Sequence, residues 1–86
     1  MKSAEITISI PNGFHARPIA RFIAVAREYR SHVELQYMDR KANGKSILSM
    51  LALRVPEGGK MRISVEGEDE EAAIEALCQL LETYKE

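Results

Sequence analysis

Tryptophan is missing, cysteine occurs once and histidine twice among the 86 residues. The lone Cys78 excludes an intramolecular disulfide and suits a reducing compartment. Two histidines and one cysteine leave no metal-ligand spacing, so no metal and no cofactor is expected. No apolar run approaches the roughly 20 residues that span a bilayer. Met1-Lys2-Ser3-Ala4-Glu5 lacks the apolar stretch and cleavage site of a signal peptide. The expectation is a cytoplasmic chain without membrane insertion. An excess of one charge is lacking too: 12 basic and 13 acidic residues leave a net charge of −1. That balance argues against general affinity for nucleic acid or acidic membranes. A strand with an aromatic stacking pair, which would favour an RNA-binding module, is also missing. No Ser-His-Asp set or pair of carboxylates can be argued, and Gly58-Gly59 lacks the Lys-Ser/Thr of a phosphate loop. Without repeats or linkers the chain is expected to be one domain, residues 1–86. A chain this short buries only about two-thirds of its unfolded surface, so its stability margin is thin.

What is present is a clear alternation of patterns. Ala4 to Ile10 alternates, with Ala4, Ile6, Ile8 and Ile10 on one face, and predicts a half-buried strand. Ala16 to Arg30 predicts a helix, with Ile19, Phe22, Ile23 and Ala26 at helical spacing and Ser31 closing it. His32 to Met38 and Lys60 to Gly67 predict two further strands, and Arg40 to Ala42 a short edge strand. Ser46 before Ile47-Leu48-Ser49-Met50-Leu51-Ala52-Leu53 is a helix N-cap signal. Asp69 is placed to cap a last helix from Glu70 to about Tyr84, with Ala73, Ile74, Leu77, Cys78, Leu81 and Tyr84 as its stripe. Strands with one apolar face call for an antiparallel sheet with helices stacked on one side, an α+β two-layer open-faced sandwich.

The chain is organised around Asn12-Gly13-Phe14-His15-Ala16-Arg17-Pro18, at the start of the first helix. Gly can take φ > 0 at little cost, and Pro is tolerated in a first helical turn. His15 there lies beside backbone N–H groups at the positive end of the helix dipole, a ready place for a phosphate. Arg17 carries a planar fork that matches phosphate oxygens, whereas in a first turn without an anion it opposes the dipole. The chemistry suggests a histidine that carries a phosphoryl group. The plainer readings are a polar helix cap for His15 and a solvated cation for Arg17. Phe14 reads either as core or as a partner contact.

Ser46 reads first as an N-cap. Its functional reading is a phosphorylation switch, because a phosphoserine is tolerated at a helix N-terminus while its charge of about −2 changes what docks nearby. Ile47, Leu48 and Leu51 are either core or an exposed docking patch; so many apolar residues in one short helix cannot all face inward. Cys78 reads as buried packing.

Gly13-Phe14-His15-Ala16-Arg17-Pro18, followed some thirty residues on by Lys45-Ser46-Ile47-Leu48, resembles the HPr family, the histidine-containing phosphocarriers of the bacterial phosphoenolpyruvate-dependent sugar phosphotransferase system. Length, element order and Gly67-Glu68-Asp69-Glu70 extend the resemblance over essentially the whole chain. It implies four antiparallel strands in the order 1-4-2-3 under three helices. It implies that His15 accepts a phosphoryl group on Nδ1 from phosphorylated enzyme I and passes it to the A domain of a sugar-specific enzyme II, with Arg17 steadying the phosphate. The protein would be a monomeric carrier and not an enzyme. Ser46 resembles the family's regulatory serine, modified by HPr kinase/phosphorylase and read by a transcriptional regulator. Phe14, Ala20, Ile47, Leu48 and Leu51 match its apolar docking surface. Arg54 stands where many members have Gly, and Ser49 where a Gly is frequent. The other reading is a regulatory module of the same fold, of the nitrogen-related branch or under kinase control, not dedicated to sugar uptake.

Overall fold

The computed structural model describes residues 1–85. Its elements are β1 (Lys2–Thr7), α1 (Ala16–Ala26), β2 (His32–Tyr37), β3 (Arg40–Asn43), α2 (Ile47–Leu51), β4 (Lys60–Glu66) and α3 (Glu70–Thr83). The strands form one antiparallel sheet in the order β1-β4-β2-β3, as the resemblance implies.

Alternation sets the register. Leu35 lies opposite Ile63, which lies opposite Ala4, and Val33 lies opposite Val65. These rows put Ile6, Val33, Leu35, Met61, Ile63 and Val65 on one buried face. A slip of one residue would turn that whole set to solvent. The helices cover this face. α1 buries Pro18, Ile19, Phe22, Ile23 and Ala26, and α3 buries Ala73, Leu77 and Leu81. Ile74, Cys78 and Tyr84 of the expected α3 stripe are only partly covered. Among the described residues no helix is long and apolar enough to cross a membrane.

Several element bounds differ from expectation. The first strand ends at Thr7 because the Ile8 N–H donates to Gly59 O at 2.9 Å and Ile8 O accepts from Gly58 N–H at 2.6 Å. Ile8 and Ile10 remain buried, but on the turn before β4. α1 stops at Ala26, and tightened bonds from Glu28 N–H to Val25 O and Tyr29 N–H to Ala26 O end it. α2 covers only Ile47–Leu51 of the apolar run, and the last helix ends one residue early, at Thr83.

Asp69 holds the N-cap position of α3 but does not cap it through its side chain. Its carboxylate instead accepts from the Arg30 N–H at 2.8 Å, the Ser31 N–H at 3.0 Å and the Ser31 hydroxyl. This ties the segment between α1 and β2 to the start of α3. Gly67 lets the two segments meet there: a Cβ on it would lie 2.5 Å from Ser31 Oγ and 2.7 Å from Ser31 Cα. The Gly67 N–H in turn donates to Glu70 Oε1 at 3.1 Å. Arg54, just past α2, has φ +54. In that left-handed region a Cβ crowds the carbonyl, at a cost of roughly 1–2 kcal/mol.

The bond from Ser31, followed by that from Arg30, holds the Asp69 carboxyl below its ordinary value. A carboxyl depressed by folding stabilises the fold above its unfolded pKa and loses that contribution as pH falls through the folded value. Asp69→Ala is therefore expected to lower Tm at pH 7. The gap to the wild type should shrink progressively below about pH 5. Thermal melts of both proteins across acid pH check this; a gap that stays constant into strong acid would contradict it.

Candidate functional site

The turn into α1 is tight. Ile10 O accepts from Gly13 N–H at 2.9 Å, and Gly13 O accepts from His15 N–H at 3.0 Å. Asn12 and Gly13 both take positive φ, +70 and +79, which Gly adopts freely and Asn tolerates. Gly13 has a second reason to lack a side chain. A Cβ there would lie 2.6 Å from Val55 O and 2.9 Å from Pro56 Cα, so the chain between α2 and β4 rests directly on it. The next residue seals this contact, since the Phe14 N–H donates to Val55 O at 2.9 Å.

Phe14 corrects one expectation. Its ring is 4% exposed and meets Phe22 edge-to-face, with centroids 5.8 Å apart. Core packing occupies the surface that a partner contact would have used. Phe14 anchors the turn from beneath, and His15 follows it at the rim.

His15 is the N-cap of α1, with extended backbone at φ −102 and ψ −168. Its carbonyl accepts the first helical bond, from Ile19 N–H at 3.0 Å. Its side chain makes no capping hydrogen bond, so the polar-cap reading does not describe this imidazole. The ring is half-buried, with Nε2 closed off from solvent. The Ala16 and Arg17 N–H groups have no intrahelical acceptor, and Pro18 has no N–H to satisfy. The first turn holds no carboxylate, so the positive end of the helix is not neutralised from within. Arg17 is exposed and makes no ion pair among the described residues. It lines an open hollow of about 350 Å³ with Ala20, Arg21, Tyr84 and Lys85. Imidazole, backbone donors and helix dipole thus meet at one helix end, with Arg17 in the same first turn, a setting that suits a dianionic phosphoryl group.

The second cluster lies beside it. Ser46 caps α2, its hydroxyl accepting from Ser49 N–H at 3.3 Å. α2 lies alongside α1, held near its start by Arg27 donating to Lys45 O and Lys45 Nζ donating to Tyr29 O, and after its end by the Phe14–Val55 bond. Met50 is fully buried beneath α2, while Ile47, Leu48 and Leu51 are exposed on it. Leu48, at 78% exposure, gives the sheet-and-helix core almost nothing. Ala20 is exposed on α1. Ser49 has a role that its type alone did not reveal: its hydroxyl accepts from the Asn43 N–H at 2.9 Å, joining α2 to the end of β3. Cys78 contributes nothing to either cluster, and burial, followed by Glu82, pushes its thiol up, away from the reactive thiolate. No group of three or more possible metal ligands exists among the described residues.

Residues 2–83 match the family model described as the PTS HPr component phosphorylation site. The phosphocarrier protein HPr of Lysinibacillus sphaericus is 41% identical over 81 residues, 94% of this chain and 92% of that one. The phosphocarrier protein HPr of Borreliella burgdorferi is 37% identical over the full length of both chains. A crystal structure of HPr from Thermoanaerobacter tengcongensis superposes with a TM-score of 0.93 at 40% identity, covering 96% of this chain and 93% of that one.

Gly13→Ala is expected to strain both the left-handed turn and the backbone of residues 55–57, lowering stability by roughly 2 kcal/mol or more. Denaturant melts check the stability. Broadened amide signals of residues 12–17 in NMR spectra would report the displaced turn. A stable variant with an unmoved turn would show that the close approach is not needed.

Proposed function

The chain belongs to the HPr family of the phosphotransferase system and is a phosphocarrier; from that premise we propose that His15 is the residue that carries the phosphoryl group, taking it from phosphorylated enzyme I and passing it to the A domain of a sugar-specific enzyme II. The observation that carries this reading is the half-buried imidazole at a helix N-terminus without a carboxylate of its own, two residues before the exposed Arg17.

We assign the attack to Nδ1, because Nε2 is closed off from solvent. A neutral ring with its proton on Nε2 presents the Nδ1 lone pair to phosphorus. The N–P bond forms as the bond from phosphorus to the donor breaks, and no proton need move at Nδ1. The second transfer runs the same exchange toward the acceptor. The α1 N–H groups and the Arg17 guanidinium hold the equatorial oxygens in both directions. The site has no neighbouring carboxylate in the first turn to activate water, and a docked partner excludes water from it in turn. A carrier needs no more chemistry than this and does not act as an enzyme.

Ile47, Leu48, Leu51 and Ala20 form the surface on which the partners dock. Ser46 is the regulatory serine, acted on by HPr kinase/phosphorylase. Its phosphate would sit at the start of α2, next to exposed Ile47 and Leu48, where about two negative charges change docking without unfolding the helix.

His15→Ala is expected to keep the circular-dichroism spectrum and lose all acceptance of label from labelled phosphoenolpyruvate and enzyme I. Arg17→Ala should slow transfer by roughly 10- to 100-fold, the worth of a charge-assisted hydrogen bond to phosphate. Label retained on a folded His15→Ala protein would refute the assignment.

A further inference from the structure

We propose that Arg54 is a specificity-determining residue of this carrier, a cation at the rim of the His15 site that pairs with acidic side chains on the protein that donates the phosphoryl group; this rests on the carrier reading above. Three observations converge on it. Its backbone sits at φ +54, a conformation that favours glycine, yet a long charged side chain occupies the position. Its neighbours Leu53 and Val55 are buried, at 1% and 3% exposure, while Arg54 is exposed. It makes no ion pair or side-chain hydrogen bond among the described residues, although the carboxylate of Glu57 is only three residues away. The fold therefore bears a strained backbone there without an internal bond in return. Strain kept without an internal bond points to an external use.

The location says which use. Arg54 precedes Val55, whose carbonyl accepts from Phe14 N–H, and Phe14 precedes His15. Arg54 is thus tied to the histidine turn by a single backbone bond. Leu51, at 40% exposure, lies three residues before it, at the end of α2. Arg17 and Arg21 are exposed on α1, which starts at that turn, and make no ion pair among the described residues. A partner that approaches His15 over α2 meets cations that no described carboxylate pairs, Arg54 after α2 and Arg17 and Arg21 on α1. Carboxylates on its own rim complement them, and such rim pairs act mainly on the association rate and its salt dependence.

An attraction between this arginine and the weak dipole of α2 would be the plain alternative, and three variants separate the two. Arg54→Gln keeps the strain and removes the charge. Arg54→Lys keeps the charge. Arg54→Gly removes both. Phosphoryl transfer from phosphorylated enzyme I, supplied with labelled phosphoenolpyruvate, is followed by quenched flow at low and high sodium chloride. Arg54→Gln and Arg54→Gly are expected to lose roughly three- to tenfold in kcat/KM at low salt, with the difference closing as salt screens the pair. Arg54→Lys should stay within about twofold of the wild type. The Tm of Arg54→Gly should be no lower than that of the wild type. Wild-type rates in Arg54→Gln and Arg54→Gly at low salt overturn the proposal and leave the carrier reading intact. A loss that persists at high salt, or one shared by Arg54→Lys, overturns it as well. A wild-type protein that takes no label brings down both readings.

Discussion

One backbone hydrogen bond, from Phe14 N–H to Val55 O at 2.9 Å, holds the functional end of the molecule together. It forms only because Gly13 lets the chain between α2 and β4 come within contact distance. The two segments it joins are far apart in sequence. One leads into α1 and presents His15. The other leaves α2 and carries Arg54. Below them Phe14 packs on Phe22 in the core, so the rim residues inherit the rigidity of the sheet-and-helix interior. The histidine is held without being buried. For the proposed transfer this matters: a buried ring could not meet a partner, and one on a loose loop would lose the fixed geometry.

Charge is distributed to the same end. From Glu66 onward the chain carries eight carboxylates against one cation, Lys85. Asp69 and Glu70 are spent internally, on the Arg30–Ser31 backbone and on Gly67 with the N-terminal ammonium. The first turn of α1 has no carboxylate at all. A net charge of −1 thus hides a positive helix end set apart from an acidic last helix. An incoming phosphoryl group meets local field, and the average charge says little about it.

The alternation of Val33-Leu35 and Met61-Ile63-Val65 made the sheet legible, as did the helical spacing of Ile19, Phe22, Ile23 and Ala26. His15 and Arg17 were legible as a motif, because Gly, His, Arg and Pro at a helix start each have a local physical reason. What stayed hidden was tertiary. Phe14 has the same local pattern whether it points in or out, and only the position of Phe22 decides it. Asp69 matched a capping signal, but two N–H groups and a hydroxyl from Arg30 and Ser31, between α1 and β2 and 38 residues away or more, compete for its carboxylate. The Ser49 bond to Asn43 depends on where β3 ends relative to α2. The strain at Arg54 depends on how α2 terminates. Such facts are set by pairs of segments, and a pattern along one segment cannot carry them.

The left-handed positions show how local rules and function part company. Gly13 and Gly67 stand where the backbone needs glycine, and there local preference and tertiary contact agree. At residue 54 they disagree, since the same left-handed conformation is imposed on an arginine. Stability alone would favour the residue without a Cβ. On the reading proposed above, the exposed cation kept at that cost serves a surface completed by another molecule. The same holds for Leu48, whose side chain is almost wholly in solvent while Met50 two positions on fills the core. On the proposed reading, a carrier that binds two partners in succession has to leave part of its binding free energy unsatisfied in the isolated state. The exposed leucine, the arginines without an ion pair among the described residues and the helix end without a carboxylate in its first turn are where, on that reading, this chain leaves it.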